Sequence, residues 1–137
     1  MATETSVRNG AVVAELYRLV GAHEPAEVKS YVNDHFAEDA QLTLPKELPY
    51  GGTLRTKRVL ASVFGASAAS DANVGPANLV VLELVADGGT VIAELGFDWA
   101  GGSNAGQPSR AIEKWIFNAD GLVQTIDAYY LDPADAR

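Results

Sequence analysis

Apolar residues recur every three or four positions in the first half of the chain and every second position in the last part, so helices are expected first and strands after them. Residues 1 to about 8 are polar and read as a frayed tail. Val13, Leu16, Tyr17 and Val20 then make a helical stripe that Gly21 is placed to end. Pro25 suits the first turn of a second helix, where its missing N–H costs nothing. Val28, Tyr31, Val32 and His35 form the stripe of that helix, with Phe36 beside it. Ala40 to Leu44 is a short strand closed by Pro45, and Pro49-Tyr50-Gly51-Gly52 forms a loop. A third helix is expected from about Thr53 to Phe64, burying Leu60, Val63 and Phe64. The small residues from Gly65 to Pro76 read as a connector.

Four long strands follow. Asn78 to Ala86 and Thr90 to Ala100 pair around the Asp87-Gly88-Gly89 turn, and Arg110 to Tyr130 holds two more around Asn118-Ala119-Asp120-Gly121. Alternate side chains of a strand share a face. Val91, Ala93, Leu95, Phe97 and Trp99 therefore look one way, as do Ala111, Glu113, Trp115 and Phe117, while Arg110, Ile112, Lys114 and Ile116 look the other. Between the pairs, the loop GGSNAGQP is long and flexible enough to act as a rim or lid. Helices followed by a run of strands imply an α+β fold with the helices on one sheet face. A strongly twisted, mostly antiparallel sheet curling around three helices leaves a cone whose mouth is a pocket.

At 137 residues and 47% hydrophobic, residues 1–137 read as one domain with a substantial core. A net charge of −8 argues against a nucleic-acid backbone or an anionic membrane as partner, since both reward clustered Lys and Arg. Cysteine is absent, which suits a reducing compartment and excludes disulfides, a thiolate nucleophile and a zinc ribbon. No apolar run approaches a membrane span and the polar start lacks the parts of a signal peptide, so a cytoplasmic location is expected.

Glu113 is the residue that singles out chemistry. A carboxylate among bulky apolar neighbours is at a wet edge, or paired, or in a pocket where desolvation raises its pKa and brings proton transfer toward neutrality. His35, at the end of the second helix, is either a second proton-transfer group or a cap for the last carbonyls. His23 lies in a loop. Two histidines without cysteine make no metal constellation, and Glu38-Asp39 lacks the spaced ligands of a calcium loop, so no metal and no cofactor are expected. No phosphate loop, dinucleotide fingerprint or G-x-S-x-G occurs. Phe97, Trp99, Trp115, Phe117 and Tyr130 lie on faces that line a cavity or fill a core, and suggest a flat, apolar, ring-shaped ligand.

Four stretches, FAEDAQLTLP, PYGGTLRTKRVLASVF, VADGGTVIAELGFDW and FNADGLVQTIDAYYLDPA, give the chain a resemblance, from about Val12 to Asp132, to the NTF2-like superfamily and its SnoaL-type polyketide cyclases and ketosteroid isomerases. The resemblance implies a cone-shaped, cystatin-like α+β fold in which three helices pack on a strongly curved, mostly antiparallel sheet enclosing a pocket. Tyr17 resembles the isomerase tyrosine that donates to an enolate oxygen, an alternative to its being part of the helical stripe. Glu113 falls near the acid of isomerases and cyclases. Where isomerases carry the proton-abstracting aspartate this chain has Leu44, which points away from that isomerisation and toward an altered or cyclase-like chemistry. The arginine-centred epoxide-hydrolase arrangement is discounted, since Arg110 faces away from Glu113.

Two functions are therefore expected as alternatives. One is a cofactor-independent cyclase or isomerase moving protons on an apolar, ring-containing, polyketide- or steroid-like carbonyl compound. Its catalytic residues are Glu113, Tyr17 and His35, with Phe36, Leu44, Phe97, Trp99, Trp115, Ile126, Ala128 and Tyr130 shaping the cavity. The other is a non-catalytic ligand-binding or assembly module on the same fold. A homodimer through the outer sheet face is expected for either, because Ile112, Ile116 and Val123 would otherwise be exposed.

Overall fold

Thr3 caps the first helix, its hydroxyl accepting from the Ser6 N–H at 3.0 Å, and Glu4 lies in the first turn at the positive end of the helix dipole. The computed structural model describes residues 3–69 and 76–133 of the chain. In it α1 spans Glu4–Gly21, so the expected tail is helical from its fourth residue. The reason is a polar latch rather than an apolar one. Buried Ser6 accepts from the Gly88 N–H at 2.8 Å and buried Asn9 donates to the Gly88 carbonyl at 3.0 Å, tying the first turns of α1 to a strand turn. Val13, Leu16, Tyr17 and Val20 are buried as the spacing requires.

Helix α2 spans Pro25–His35, with Pro25 in its first turn, and runs directly into strand β1, Phe36–Leu44. The expected third helix starts later, because Gly52–Arg55 forms a short strand, β2, antiparallel to β1 with Leu54 opposite Leu42. Thr56, at φ 79°, turns the chain and caps α3, Lys57–Ala68, by accepting from the Val59 N–H. Part of the expected connector is thus the end of α3, and its residues 70–75 lie outside the described residues. Strands β3 (Pro76–Asp87), β4 (Thr90–Trp99), β5 (Pro108–Phe117) and β6 (Val123–Tyr130) follow.

The strands join in the order β2-β1-β6-β5-β4-β3. That order corrects the expectation of a cone-shaped, strongly curved sheet. The sheet is open, with β2 and β3 as unpaired edges, and it is mixed, because β1 runs parallel to β6. Helix α1 packs against β3 and β4, and α3 against β1 and α2, so the helices cover one face. On that face every inward residue of β4 and β5, from Val91 to Trp99 and from Ala111 to Phe117, is buried. Val123 corrects a second expectation. A register shift between Ile116 and Phe117 places it opposite Phe117 and Phe36, and it is fully buried rather than on the outer face. Ile112 remains on that outer face, 40% exposed. No helix among the described residues is long and apolar enough to cross a membrane.

Candidate functional site

The inner sheet face and the helices leave between them a pocket of about 540 Å³. Leu42 and Leu44 of β1, Leu95 and Phe97 of β4, Val63 and Phe64 of α3, and Leu79 of β3 make most of its wall apolar. Four oxygen-bearing residues that can exchange or share protons, Tyr17, Tyr50, Glu113 and Tyr130, interrupt that wall, together with Ser67.

Glu113 reaches the pocket because β5 alternates strictly and its odd positions face the helices. It is 6% exposed. The Tyr17 hydroxyl, brought over by the buried stripe of α1, donates to Glu113 Oε1. Trp115, two residues along the same face of β5, donates its indole N–H to the same oxygen at 3.0 Å. Both bonds fall on Oε1, so Oε2 receives neither. Burial raises the pKa of Glu113, and the two donors, which favour the ionised form, pull it part of the way back. Burial and then the neighbouring Glu113 charge push the Tyr17 phenol well above its ordinary value, so it remains a hydrogen-bond donor at any physiological pH.

The rings hold this pair in place. Tyr17 meets Trp115 and Phe64 edge to face, with centroids 6.1 and 6.4 Å apart, and Phe36 packs edge-on against both Trp115 and Phe64. At the other side, Tyr130 stacks on Trp99 at 5.8 Å and meets Phe97 edge-on at 5.5 Å.

Of the residues singled out from the sequence, Glu113, Tyr17, Leu44, Phe97 and Tyr130 come together around the pocket. Trp115 acts from behind, through its bond to Glu113, and Phe36, Trp99, Ile126 and Ala128 are buried without lining the space. His35 does not line it either. Its Nδ1 lies 2.9 Å from the Tyr31 carbonyl one turn back, and its ring stacks on Tyr31 at 4.0 Å, the arrangement of a helix-end cap. Arg110 lies on the outer face, 3.4 Å from Glu94. Among the described residues no group of three or more His, Cys, Asp or Glu is disposed to hold a metal ion.

Tyr50 was not foreseen. It stands in the loop between β1 and β2, where the signal available in sequence was an aromatic residue set between Pro49 and Gly51-Gly52. That loop is tightly wound: the Leu48 N–H donates to the Pro45 carbonyl at 3.2 Å, the Gly51 N–H to the Leu48 carbonyl at 3.0 Å, and Leu48 is buried beneath it. A Cβ at Gly51 would lie 2.0 Å from the Pro45 carbonyl oxygen, so the turn that presents Tyr50 admits only glycine there.

No family model matches the chain, and no curated protein matches it significantly. Solved structures do. A protein of unknown function with a cystatin-like fold from Methylobium petroleophilum is 21% identical, with a TM-score of 0.72 over 96% of this chain and 81% of that one. An epoxide hydrolase/cyclase-like enzyme with a role in pyran ring formation in the polyether salinomycin is 13% identical, with a TM-score of 0.65 over 93% and 94% of the two chains. A steroid delta-isomerase from Pseudomonas aeruginosa is 14% identical, with a TM-score of 0.70 over 98% of this chain and 89% of that one. At such identities the likeness is one of architecture: the chain has the fold described as cystatin-like in the first of these and as NTF2-like in a protein of unknown function from Mesorhizobium loti that is 16% identical, with a TM-score of 0.73 over 95% of this chain and 96% of that one.

Proposed function

We propose that this protein is a cofactor-independent cyclase or isomerase that moves a proton on an apolar, ring-containing carbonyl compound, with Glu113 as the acid/base. The observation that carries the reading is a lone carboxyl group, buried in the wall of an apolar pocket and bonded through one oxygen to a phenol. Its raised pKa moves it toward the range in which a group both takes and returns protons near neutral pH. Oε2, which neither Tyr17 nor Trp115 occupies, takes a proton from carbon next to the carbonyl, and the electron pair moves onto the carbonyl oxygen. Once Glu113 is neutral its hold on the Tyr17 hydroxyl weakens, and Tyr17 turns its donor to the enolate oxygen. Glu113 then returns the proton to the same or another carbon, or the enolate carbon attacks a second carbonyl carbon of the substrate, whose π bond opens to an alkoxide that takes the proton back from Glu113. Leu44 supplies no second base on β1, so one carboxyl group serves both transfers. The fold shared with a steroid delta-isomerase and a cyclase-like enzyme adds support of a general kind.

Proton transfer is testable before the product is known. The protein is incubated in deuterated buffer with a panel of ring ketones, and deuterium entering the carbon beside the carbonyl is followed by NMR. The reading expects exchange with wild type and loss of about 100-fold or more in Glu113→Gln, with the fold and ligand affinity retained. Exchange that survives this substitution excludes Glu113 as the acid/base. Binding of ketones with no exchange at all would mark the pocket as a binding module.

A further inference from the structure

We propose that Tyr50, backed by Tyr130, is a second recognition point in the pocket, donating a hydrogen bond to an acceptor oxygen on a neutral, largely apolar ligand whose reacting carbonyl lies at Glu113. The inference rests on the preceding reading for the Glu113 end and on separate observations for the Tyr50 end.

The Tyr50 hydroxyl is buried, and no acceptor among the described residues takes its proton. Buried polar groups are nearly always paired, and one left open at the wall of a cavity is a donor prepared for something that enters. Two other buried polar atoms among the described residues lack partners, Trp99 Nε1 and Ser109 Oγ, and neither residue lines the pocket, whereas Tyr50 does. The Tyr130 hydroxyl is its neighbour. Its O–H is directed at the Tyr50 oxygen, which holds the Tyr50 pKa down against burial and raises that of Tyr130, and the proton of Tyr50 itself is left for a ligand. Burial lifts Tyr50 to about 12 and Tyr130 well above its ordinary value, so both enter binding as neutral donors.

Both groups are held ready. The Pro45–Gly51 turn, closed by its own hydrogen bonds and by the space only glycine leaves at position 51, sets Tyr50. The stack of Tyr130 on Trp99 and its edge contact with Phe97 set Tyr130. A donor fixed in advance loses little freedom on binding, so its bond discriminates between ligands.

Charge selects the class of acceptor. Among the described residues lining the pocket there is no Lys, Arg or His, and the one ionisable acid is Glu113. A carboxylate or phosphate would enter with no cation to receive it and one carboxyl group to repel it, so the second oxygen belongs to a ketone, ester or ether. The substrate class is thus a neutral ring compound carrying two separated oxygens. One reacts at Glu113 and the other registers the skeleton at Tyr50.

The test uses fused-ring ketones of two, three and four rings, each as a monoketone, a diketone and a keto acid on one skeleton, with affinities measured by calorimetry. Wild type is expected to bind at least one diketone about tenfold more tightly than its monoketone, the worth of one good hydrogen bond, and to bind the matching keto acid more weakly than the diketone. Tyr50→Phe is expected to bring that diketone to the affinity of its monoketone while leaving the monoketone unchanged. A purely structural role for Tyr50 would weaken both alike, and that result, or a preference that survives Tyr50→Phe, overturns the inference. Monoketones and diketones bound equally by wild type overturn it too, while deuterium exchange on the same compounds leaves the acid/base reading standing. If no ketone binds and none exchanges, the acid/base reading falls and the second recognition point falls with it.

Discussion

Replacing Tyr17 by Phe removes one hydroxyl from beside Glu113 and keeps the ring that packs on Trp115 and Phe64. The cost depends on the charge of Glu113. A hydrogen bond to an ionised carboxylate is worth about 1.5–3 kcal/mol and one between neutral groups about 0.5–1.5 kcal/mol. The stability lost in Tyr17→Phe should therefore be about 1 kcal/mol in acid and grow to about 2–3 kcal/mol at mildly alkaline pH. The direction follows from linkage. Burial already holds the Glu113 pKa above its unfolded value, and the Tyr17 bond opposes that rise, so its removal raises the folded pKa further. Between the unfolded and folded values the native state binds more protons than the unfolded chain, and stability falls as pH rises. The variant falls further and over a wider range. Urea denaturation of both proteins across that range measures the difference, in which titrations common to the two cancel. A loss that is the same at every pH, or larger in acid, would refute the claim that Tyr17 acts on the ionised form of Glu113.

Glu113→Gln removes the titration itself. Its stability relative to wild type should be lowest in acid, rise through the raised Glu113 pKa and level off above it, which denaturation at a series of pH values checks. Gly51→Ala forces a methyl group against the Pro45 carbonyl and should cost about 2 kcal/mol or more, with loss of any diketone preference; thermal unfolding and the calorimetric panel read the two effects. Ser6→Ala and Asn9→Ala each leave the Gly88 backbone short of a buried partner and should cost about 1–3 kcal/mol, seen as faster amide exchange in the first turns of α1.

The alternation of β4 and β5 was legible because it is local: each second residue is buried, and Glu113 falls among them by counting alone. The stripes of α1 and α2 were legible for the same reason. What escaped depends on partners distant in sequence. Ser6 and Asn9 look like surface residues until the Gly88 turn arrives to pair with them, so α1 was read short. Leu54 and its neighbours carry too brief a pattern to announce β2, which exists because β1 offers them an edge. One extra residue at the β5–β6 junction turned Val123 inward, an inversion that a period of two cannot reveal. The parallel pairing of β1 with β6 makes the sheet mixed, and it lies open between the edges β2 and β3 where a cone-shaped, strongly curved sheet was expected. At the site, type and face identified Glu113 and Tyr17, while depth decided among the aromatics. Phe97 and Tyr130 reach the pocket, but Trp99 and Trp115 stand one layer behind it. Tyr50 was hidden in a loop whose path only Gly51 and its neighbours determine.

The central claim is that the Glu113 carboxyl group is withdrawn from bulk water, in the wall of a pocket that a ligand can enter. Isotope-edited infrared or carbon NMR of glutamate carboxyl groups across a pH titration, with Glu113→Gln used to assign the signal, tests it directly. The account predicts that the Glu113 carboxyl keeps its proton to higher pH than an exposed glutamate and that its signal shifts when a ring ketone binds. A Glu113 signal that titrates with the exposed glutamates and ignores every such ligand would contradict it.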